Sequence, residues 1–238
     1  MDMRHLALVL IGLITTEGFA QTVVGGNAAK GMDMNAFPAG TVAQFGAVEK
    51  TPRGSKYLYN DWRMASIEVK SGAIIKNCPV NIDLMNRQLE VNTDIGVRIV
   101  PLNAVKTVRV GDENSGDYQI FVNERDYANN DVAMLSELVV EGEVSLLKRY
   151  YIYIKEPAYN QALDMGSNEI KFITKHDIFI TDKDTFIEIP KSKEKFAQLF
   201  GENAKRVGSF MRENNLKLKG VKDLVKIVAF LNEKRITL

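Results

Sequence analysis

The sequence contains few of the residues that metal sites and thiol chemistry require. Among its 238 residues are one cysteine and two histidines, and beyond residue 20 the only histidine is His176. A single cysteine excludes an intramolecular disulfide, and one imidazole with one thiolate cannot supply the usual zinc ligands. No histidine or second cysteine lies near Cys78 to activate it. We therefore expect Cys78 to be a small buried side chain.

Signals for nucleophilic or acid–base catalysis are also missing. The chain contains no Gly-x-Ser-x-Gly nucleophile elbow. His176 follows one predicted strand and precedes another, which is typical of a histidine in a solvated turn. Carboxylates such as Asp83 and Glu141 fit the polar face of a strand or a turn, and their spacing selects no acid–base pair. We predict no catalytic residues, no metal, no cofactor and no enzymatic activity.

The chain has no long apolar run. The run from Leu6 to Ile14 is far shorter than the ~20 residues that a membrane-spanning helix needs. It follows Arg4 and precedes the small residues Gly18 and Ala20, which is typical of a secretory signal peptide. We predict cleavage before Gln21 and a mature chain without a transmembrane span. The expected location is the periplasm, the outer membrane surface or the extracellular space.

Alternation of apolar and polar residues dominates the centre of the chain. Side chains two apart on an extended backbone point to the same face, so each alternating run predicts a half-buried strand. Six runs lie between Met64 and Val122: Ile67/Val69, Val80/Ile82/Leu84, Leu89/Val91, Val97/Ile99, Val108/Val110 and Ile120/Val122. Further strands are predicted in a hairpin at 138–146 and at 148–155, 169–174, 177–181 and 185–189. The sequence predicts a mainly β, α+β fold with an antiparallel meander, either a curved open sheet or a partial barrel.

From Lys191 the apolar residues recur at steps of three and four. This spacing predicts two C-terminal amphipathic helices, one after Ser192 as its cap and one from Val221 to Leu231. They are expected to cover the sheet or to pair with each other. The predicted domains are a signal peptide at 1–20, a weakly ordered leader at 21–53, a β-meander domain at 54–190 and a helical pair at 191–238.

Charge is distributed unevenly along a nearly neutral chain. The net charge is +1, whereas residues 191–238 hold 12 Lys and Arg against 5 Asp and Glu. A basic tail can bind an anionic surface or an acidic domain. The tail lysines, however, fit a solvated helix face, and the apolar residues between them fit core positions. We therefore expect no nucleic-acid binding.

Three aromatic residues stand at the start of the predicted β region. They are Tyr57, Tyr59 and Trp62, and Trp62 is the only tryptophan. Such rings offer a large contact area at low entropic cost, so they form a speculative binding surface. The alternative is that they pack against one end of the sheet.

Four segments of the chain carry a resemblance to a family. They are Gly-Ser-x-Tyr-Leu-x-x-x-Trp at 54–62, Glu-Gly-x-Val-x-Leu-Leu-Lys at 141–148, Tyr-Asn-x-Ala-Leu at 159–163 and Asn-x-Leu-Lys-Leu-Lys at 214–219. Together they resemble a family of secreted Bacteroidota β-meander proteins that has no assigned biochemical function. The resemblance implies an envelope or extracellular location, and it transfers no catalytic residue.

Two functional hypotheses follow from the sequence. The first is a non-enzymatic interaction or scaffold module, which docks an envelope protein at a sheet edge or at the aromatic cluster. The second is a carrier, which holds a small apolar molecule or a lipid in a cavity between the sheet and the helices.

Overall fold

The computed structural model describes residues 52–112, 116–127, 133–158, 169–182 and 184–238. The predicted signal peptide and all but two residues of the predicted leader lie outside these ranges. The strands are β1 Arg63–Val69, β2 Ile74–Asp83, β3 Gln88–Thr93, β4 Gly96–Val100, β5 Val105–Asp112, β6 Asp117–Asn123, β7 Leu135–Val140, β8 Ser145–Lys155, β9 Lys171–Thr181 and β10 Phe186–Glu188. The helices are α1 Glu124–Tyr127, α2 Lys193–Gln198, α3 Ala204–Glu213 and α4 Val221–Glu233.

One antiparallel sheet contains these ten strands in the order β10-β9-β8-β7-β6-β5-β1-β2-β3-β4. The chain runs from β1 outward to the edge strand β4, and then returns so that β5 pairs with the other side of β1. From β5 to β10 each strand lies beside the one before it. This topology confirms the predicted mainly β, α+β fold with an open antiparallel sheet.

The alternating apolar residues bury one face of the sheet from β1 to β7, here called the inner face. Over β6, β8 and β9 the opposite face is buried too, by a smaller cluster of Val122, Leu147 and Phe179. The register places Ile67 opposite Val108 and Val108 opposite Phe121. All three side chains are at most 1% exposed and belong to one hydrophobic cluster with residues of β2, β3 and β7. Because a shift of one residue would turn this whole set to the other face, burial of the cluster fixes the register.

Residues 53–58, here called the closing segment, join two distant parts of the sheet. Arg53 exchanges backbone hydrogen bonds with the start of β9, where it pairs with Lys171, and Tyr57 pairs with Asp83 at the end of β2. In the strand order β9 and β2 are six positions apart, which is about 29 Å in a flat sheet. The segment from Arg53 to Tyr57 spans at most about 14 Å, and its two pairings add about 10 Å. The sheet must therefore curl.

Asp83 anchors the β2 end of this closure. Its side chain has no exposed surface, and it accepts hydrogen bonds from Lys56 Nζ at 2.6 Å and from the backbone N–H groups of Met85 and Asn86 at 3.0 and 2.9 Å. Burial by itself would raise the pKa of Asp83. The hydrogen bonds from Lys56 and Asn86 outweigh that effect and hold the pKa below its usual value. The charged carboxylate thereby fixes the β2–β3 turn to the closing segment.

The C-terminal helices cover the inner face at its other end. Leu146 and Ile180 of the sheet share one cluster with Phe196 and Leu224 of the helices, and all four side chains have no exposed surface. Asn232 of α4 also exchanges two hydrogen bonds with the backbone of residue 144, at 2.8 and 2.9 Å. Helices and sheet therefore share one core at this end. Of the helices in the described part of the chain, none is long and apolar enough to span a membrane.

The observed elements differ from the predicted boundaries at two places. The predicted strands at 169–174 and 177–181 form one strand, β9, because β8 pairs with it without interruption. His176 therefore lies within a strand, and its predicted position in a turn is wrong. The predicted helix after Ser192 divides into α2 and α3, because Gly201 between them adopts a left-handed φ of 50° that ends a regular helix.

Replacement of Gly54 by alanine is expected to weaken the closure. Gly54 has a φ of +110°, and an added Cβ would lie 2.4 Å from the carbonyl oxygen of Phe172 in β9. We expect the free energy of unfolding, measured in urea, to fall by about 2–3 kcal/mol. Gly72 is the matched control, since its φ is +86° and no atom lies within 4 Å of its Cβ position. Gly72→Ala should lower the free energy of unfolding by only about 1 kcal/mol. Equal losses in the two variants would contradict the packing of the closing segment against β9.

Replacement of Asp83 by asparagine is expected to destabilise the protein in a pH-dependent way. Removing this buried charge leaves Lys56 without its partner and should cost about 2–4 kcal/mol at pH 7. The pKa of Asp83 is lower in the folded protein than in the unfolded chain, where it is about 3.9. The ionised carboxylate therefore stabilises the fold fully above that pKa, and this stabilisation is lost as the pH falls through the pKa of the folded state. In urea, the free energy of unfolding of the wild type should therefore exceed that of Asp83→Asn at pH 7. This difference should become smaller below about pH 4. The same change at the exposed Asp61 serves as control, and a pH-independent loss in Asp83→Asn would disprove the charge assignment.

Candidate functional site

The structure separates the three aromatic residues of the predicted binding surface. Tyr59 packs against the inner core, where its Oη donates to Gln119 Oε1 at 2.8 Å, and burial raises its pKa. Tyr57 is half-buried, and the Lys56 ammonium lies 4.8 Å from its ring centroid. Trp62 is 36% exposed. Within the described ranges no two of these rings are in contact, so they do not form one platform.

Three exposed apolar side chains lie on the face opposite the inner face. We call them the outer patch, which consists of Met64, Val97 and Ile99; Trp62 precedes Met64 by two residues. Met64, Val97 and Ile99 are 50%, 51% and 57% exposed. Large apolar groups at the surface of a soluble protein are candidate interaction sites. The exposed Asn92 lies between Met64 and Val97 on this face.

The strand register explains how β1 and β4 contribute to one patch. Met64 lies opposite Pro79 of β2, and Val97 lies opposite Asn92 of β3. The two exposed side chains therefore stand at either end of a short row across four strands, about 14 Å apart. The residues that alternate with Met64 in β1 belong to the inner core, which directs Met64 to the outer face.

Strand β4 forms an exposed edge of the sheet. It lies at the end of the strand order, and no described strand pairs with its outer edge. Natural edge strands are commonly protected by lysine, proline, a bulge or a covering element. Between Gly96 and Val100 the only charged residue is Arg98. The opposite edge strand, β10, is only three residues long and pairs with residues 179–181 of β9.

A polar network interrupts the inner face between its two hydrophobic clusters. Glu137 accepts hydrogen bonds from Tyr150 Oη at 2.7 Å and from Gln119 Nε2 at 2.9 Å, and Lys148 Nζ lies 3.4 Å from its carboxylate. Burial and the Glu137 carboxylate raise the pKa of Tyr150. Gln119 also accepts from Tyr59, which connects the network to the segment before β1. These polar groups satisfy one another and link β6, β7 and β8.

A second buried ion pair joins α1 to β8. The fully buried carboxylate of Glu124 accepts two hydrogen bonds from the Arg149 guanidinium, one of them 2.8 Å long, and one from Ser136 Oγ. The guanidinium also lies 4.3 Å from the ring centroid of Phe179. Both charges are therefore used to hold α1 on the sheet, and removal of either partner would leave a buried charge unpaired.

A cleft of about 440 Å³ lies between the β2–β3 turn and β8. Eight of the lining residues are aliphatic or methionine, namely Ile82, Leu84, Met85, Leu102, Met134, Leu135, Ile152 and Ile154. The other seven are polar or charged residues, namely Asp83, Arg87, Gln88, Arg149, Tyr150, Tyr151 and Asp177. The volume and the mixture of apolar and polar lining residues are compatible with a small-molecule site.

The single cysteine and the remaining histidine lie apart from each other. Cys78 is 8% exposed, and burial raises the pKa of its thiol, which confirms the predicted buried side chain. His176 is exposed on β9, with its ring centroid 6.1 Å from that of Tyr150. In the ranges that the structure describes, no three His, Cys, Asp or Glu side chains are grouped as metal ligands.

The sequence analysis singled out Trp62 but no member of the outer patch. Val97 and Ile99 alternate as a buried strand face does, and we expected them to be ordinary packing residues. The other face of β4 carries Arg98 and Val100, and Val100 packs against the inner core. Val97 and Ile99 therefore lie on the outer face, which only the strand order identifies.

Comparisons of the chain with models of protein families, with curated proteins and with solved structures find no match.

Proposed function

We propose that this protein is an exported, non-enzymatic interaction module that docks an envelope protein on the outer patch. The observation that carries the proposal is the half-exposed state of Met64, Val97 and Ile99 beside an unprotected sheet edge. Burial of exposed apolar side chains against a partner stabilises the complex by roughly 25 cal/mol per Å² of apolar surface removed from water. An exposed strand edge adds directional hydrogen bonds to that gain.

The proposed mode of docking is addition of a partner strand to β4. Backbone N–H and C=O groups of β4 would pair with the incoming strand, and this pairing would provide affinity without sequence preference. Alternate side chains of the partner would lie on the outer face, where they contact Val97 and Ile99. A partner with aliphatic residues two apart therefore fits best.

The exported location belongs to the proposal as well. It is supported by the signal-peptide pattern of residues 1–20 and by the resemblance to secreted Bacteroidota β-meander proteins. Residues 1–20 lie outside the described part of the chain. An envelope protein is a more suitable partner than nucleic acid, because the surface that we propose for docking is apolar rather than basic.

The carrier hypothesis placed its ligand between the sheet and the helices. That space holds side chains without exposed surface, among them Leu146, Ile180 and Leu224. Packing of this kind favours the interaction module over a carrier that opens between these layers.

Substitution of the outer patch is expected to abolish docking and to leave the fold intact. In the double variant Val97→Lys/Ile99→Lys the charges fall on side chains that are already half-exposed, so the melting temperature should change little. Lysine on an edge strand opposes strand addition. A photoreactive amino acid at position 64 should crosslink one partner protein in cells that make the wild-type chain, and the double variant should lose that crosslink.

Ile173 provides the matched control for this experiment. It is an exposed aliphatic residue of β9, 37% exposed, and lies outside the outer patch. Ile173→Lys should retain the crosslink from position 64. If both variants keep the crosslink, or if the wild-type chain captures no protein from position 64, the proposal is wrong.

A further inference from the structure

The cleft between the β2–β3 turn and β8 is separate from the outer patch. We propose that it binds a monomeric fatty-acid-like carboxylate, whose aliphatic chain enters the cleft and whose carboxylate pairs with Arg87. The proposal rests on the gradient of apolar exposure along the cleft and on the charge of Arg87 beside it. It does not depend on the proposed docking function.

The apolar lining passes from buried to exposed residues. Ile82 and Leu135 line the cleft with exposures of only 5% and 8%. Met85 and Ile154 line it as well, yet they are 39% and 45% exposed. An aliphatic chain lying on these residues would cover the two exposed side chains and would continue to the buried ones. Apolar walls of this size accept a chain that has few polar atoms of its own.

Arg87 is the cation of the cleft that has no ionic partner. Asp83 and Arg149 each have an ion pair with a residue outside the lining. Asp177 accepts a hydrogen bond of 3.5 Å from Tyr151 Oη. Arg87 forms no salt bridge with any residue that the structure describes. Arg87 is exposed in the β2–β3 turn, beside the cleft. A guanidinium without a salt bridge at this position matches a carboxylate in charge and in geometry.

The backbone of Arg87 determines which substitution tests the proposal. Its φ is +56°, in the left-handed region that glycine and asparagine tolerate better than arginine. Asparagine at this position therefore removes the guanidinium and is compatible with the turn.

The experiment compares two arginines that share this conformation. Arg235 has a φ of +52°, is exposed and does not line the cleft. Arg87→Asn and Arg235→Asn should both keep the melting temperature of the full-length chain or raise it slightly. Isothermal titration with dodecanoate, below its micelle concentration, should give an affinity about tenfold lower for Arg87→Asn. Arg235→Asn should bind dodecanoate as the unchanged chain does.

A cationic amphiphile of the same chain length tests the charge preference. Dodecyltrimethylammonium should bind the unchanged chain at least about tenfold more weakly than dodecanoate. Ile154→Glu, at an exposed position of the cleft, should retain the fold and reverse this preference. Equal affinity for the two amphiphiles, no binding of dodecanoate, or equal effects of the two asparagine variants would each overturn the proposal. Crosslinking from the outer patch is an independent readout, so failure of one proposal leaves the other measurable.

Discussion

The backbone pairing of the closing segment with β9 and β2 is the constraint on which the rest of the structure depends. It brings together strands that a flat sheet would hold about 29 Å apart, and the charged Asp83 secures its β2 end. Because the sheet curls, its inner side chains pack on one another across β1 to β7 and do not need a second layer there. The helices are then required only over β7 to β9, where Leu146 and Ile180 reach them.

This arrangement leaves two places where apolar residues remain accessible. On the outer face of β1 to β4, Asn81, Asp83 and Glu90 are buried, whereas Met64, Val97 and Ile99 stay half-exposed. The cleft forms where the β2–β3 turn approaches β8 beyond the start of β7, which leaves Met85 and Ile154 accessible at its mouth. Both candidate sites are therefore consequences of how the curled sheet closes, and neither depends on catalytic chemistry.

The strands could be predicted because their signal is local. Alternation at Val108 and Val110, for example, follows from the two-residue period of an extended chain. The closure could not be predicted, because Arg53 pairs with a strand far along the sequence. The only local sign of an unusual backbone there is Gly54. The lack of a salt bridge at Arg87 could not be predicted either, because it depends on which carboxylates pair with other cations in the folded chain. Trp62 was identified from its residue type alone, whereas Val97 shows its exposure only once the strand order is known.

Amide hydrogen exchange tests the closure most directly. The amides of Arg53 and Phe172 donate to Ile170 and Arg53, and those of Leu58 and Leu84 donate to Ile82 and Lys56, each at 2.9 Å. If the sheet is curled and closed, all four amides should exchange about as slowly as those of the buried strand β5. Rapid exchange at Arg53 and Phe172, with protection kept at Val108, would show that β9 and β2 are not joined and would contradict the account.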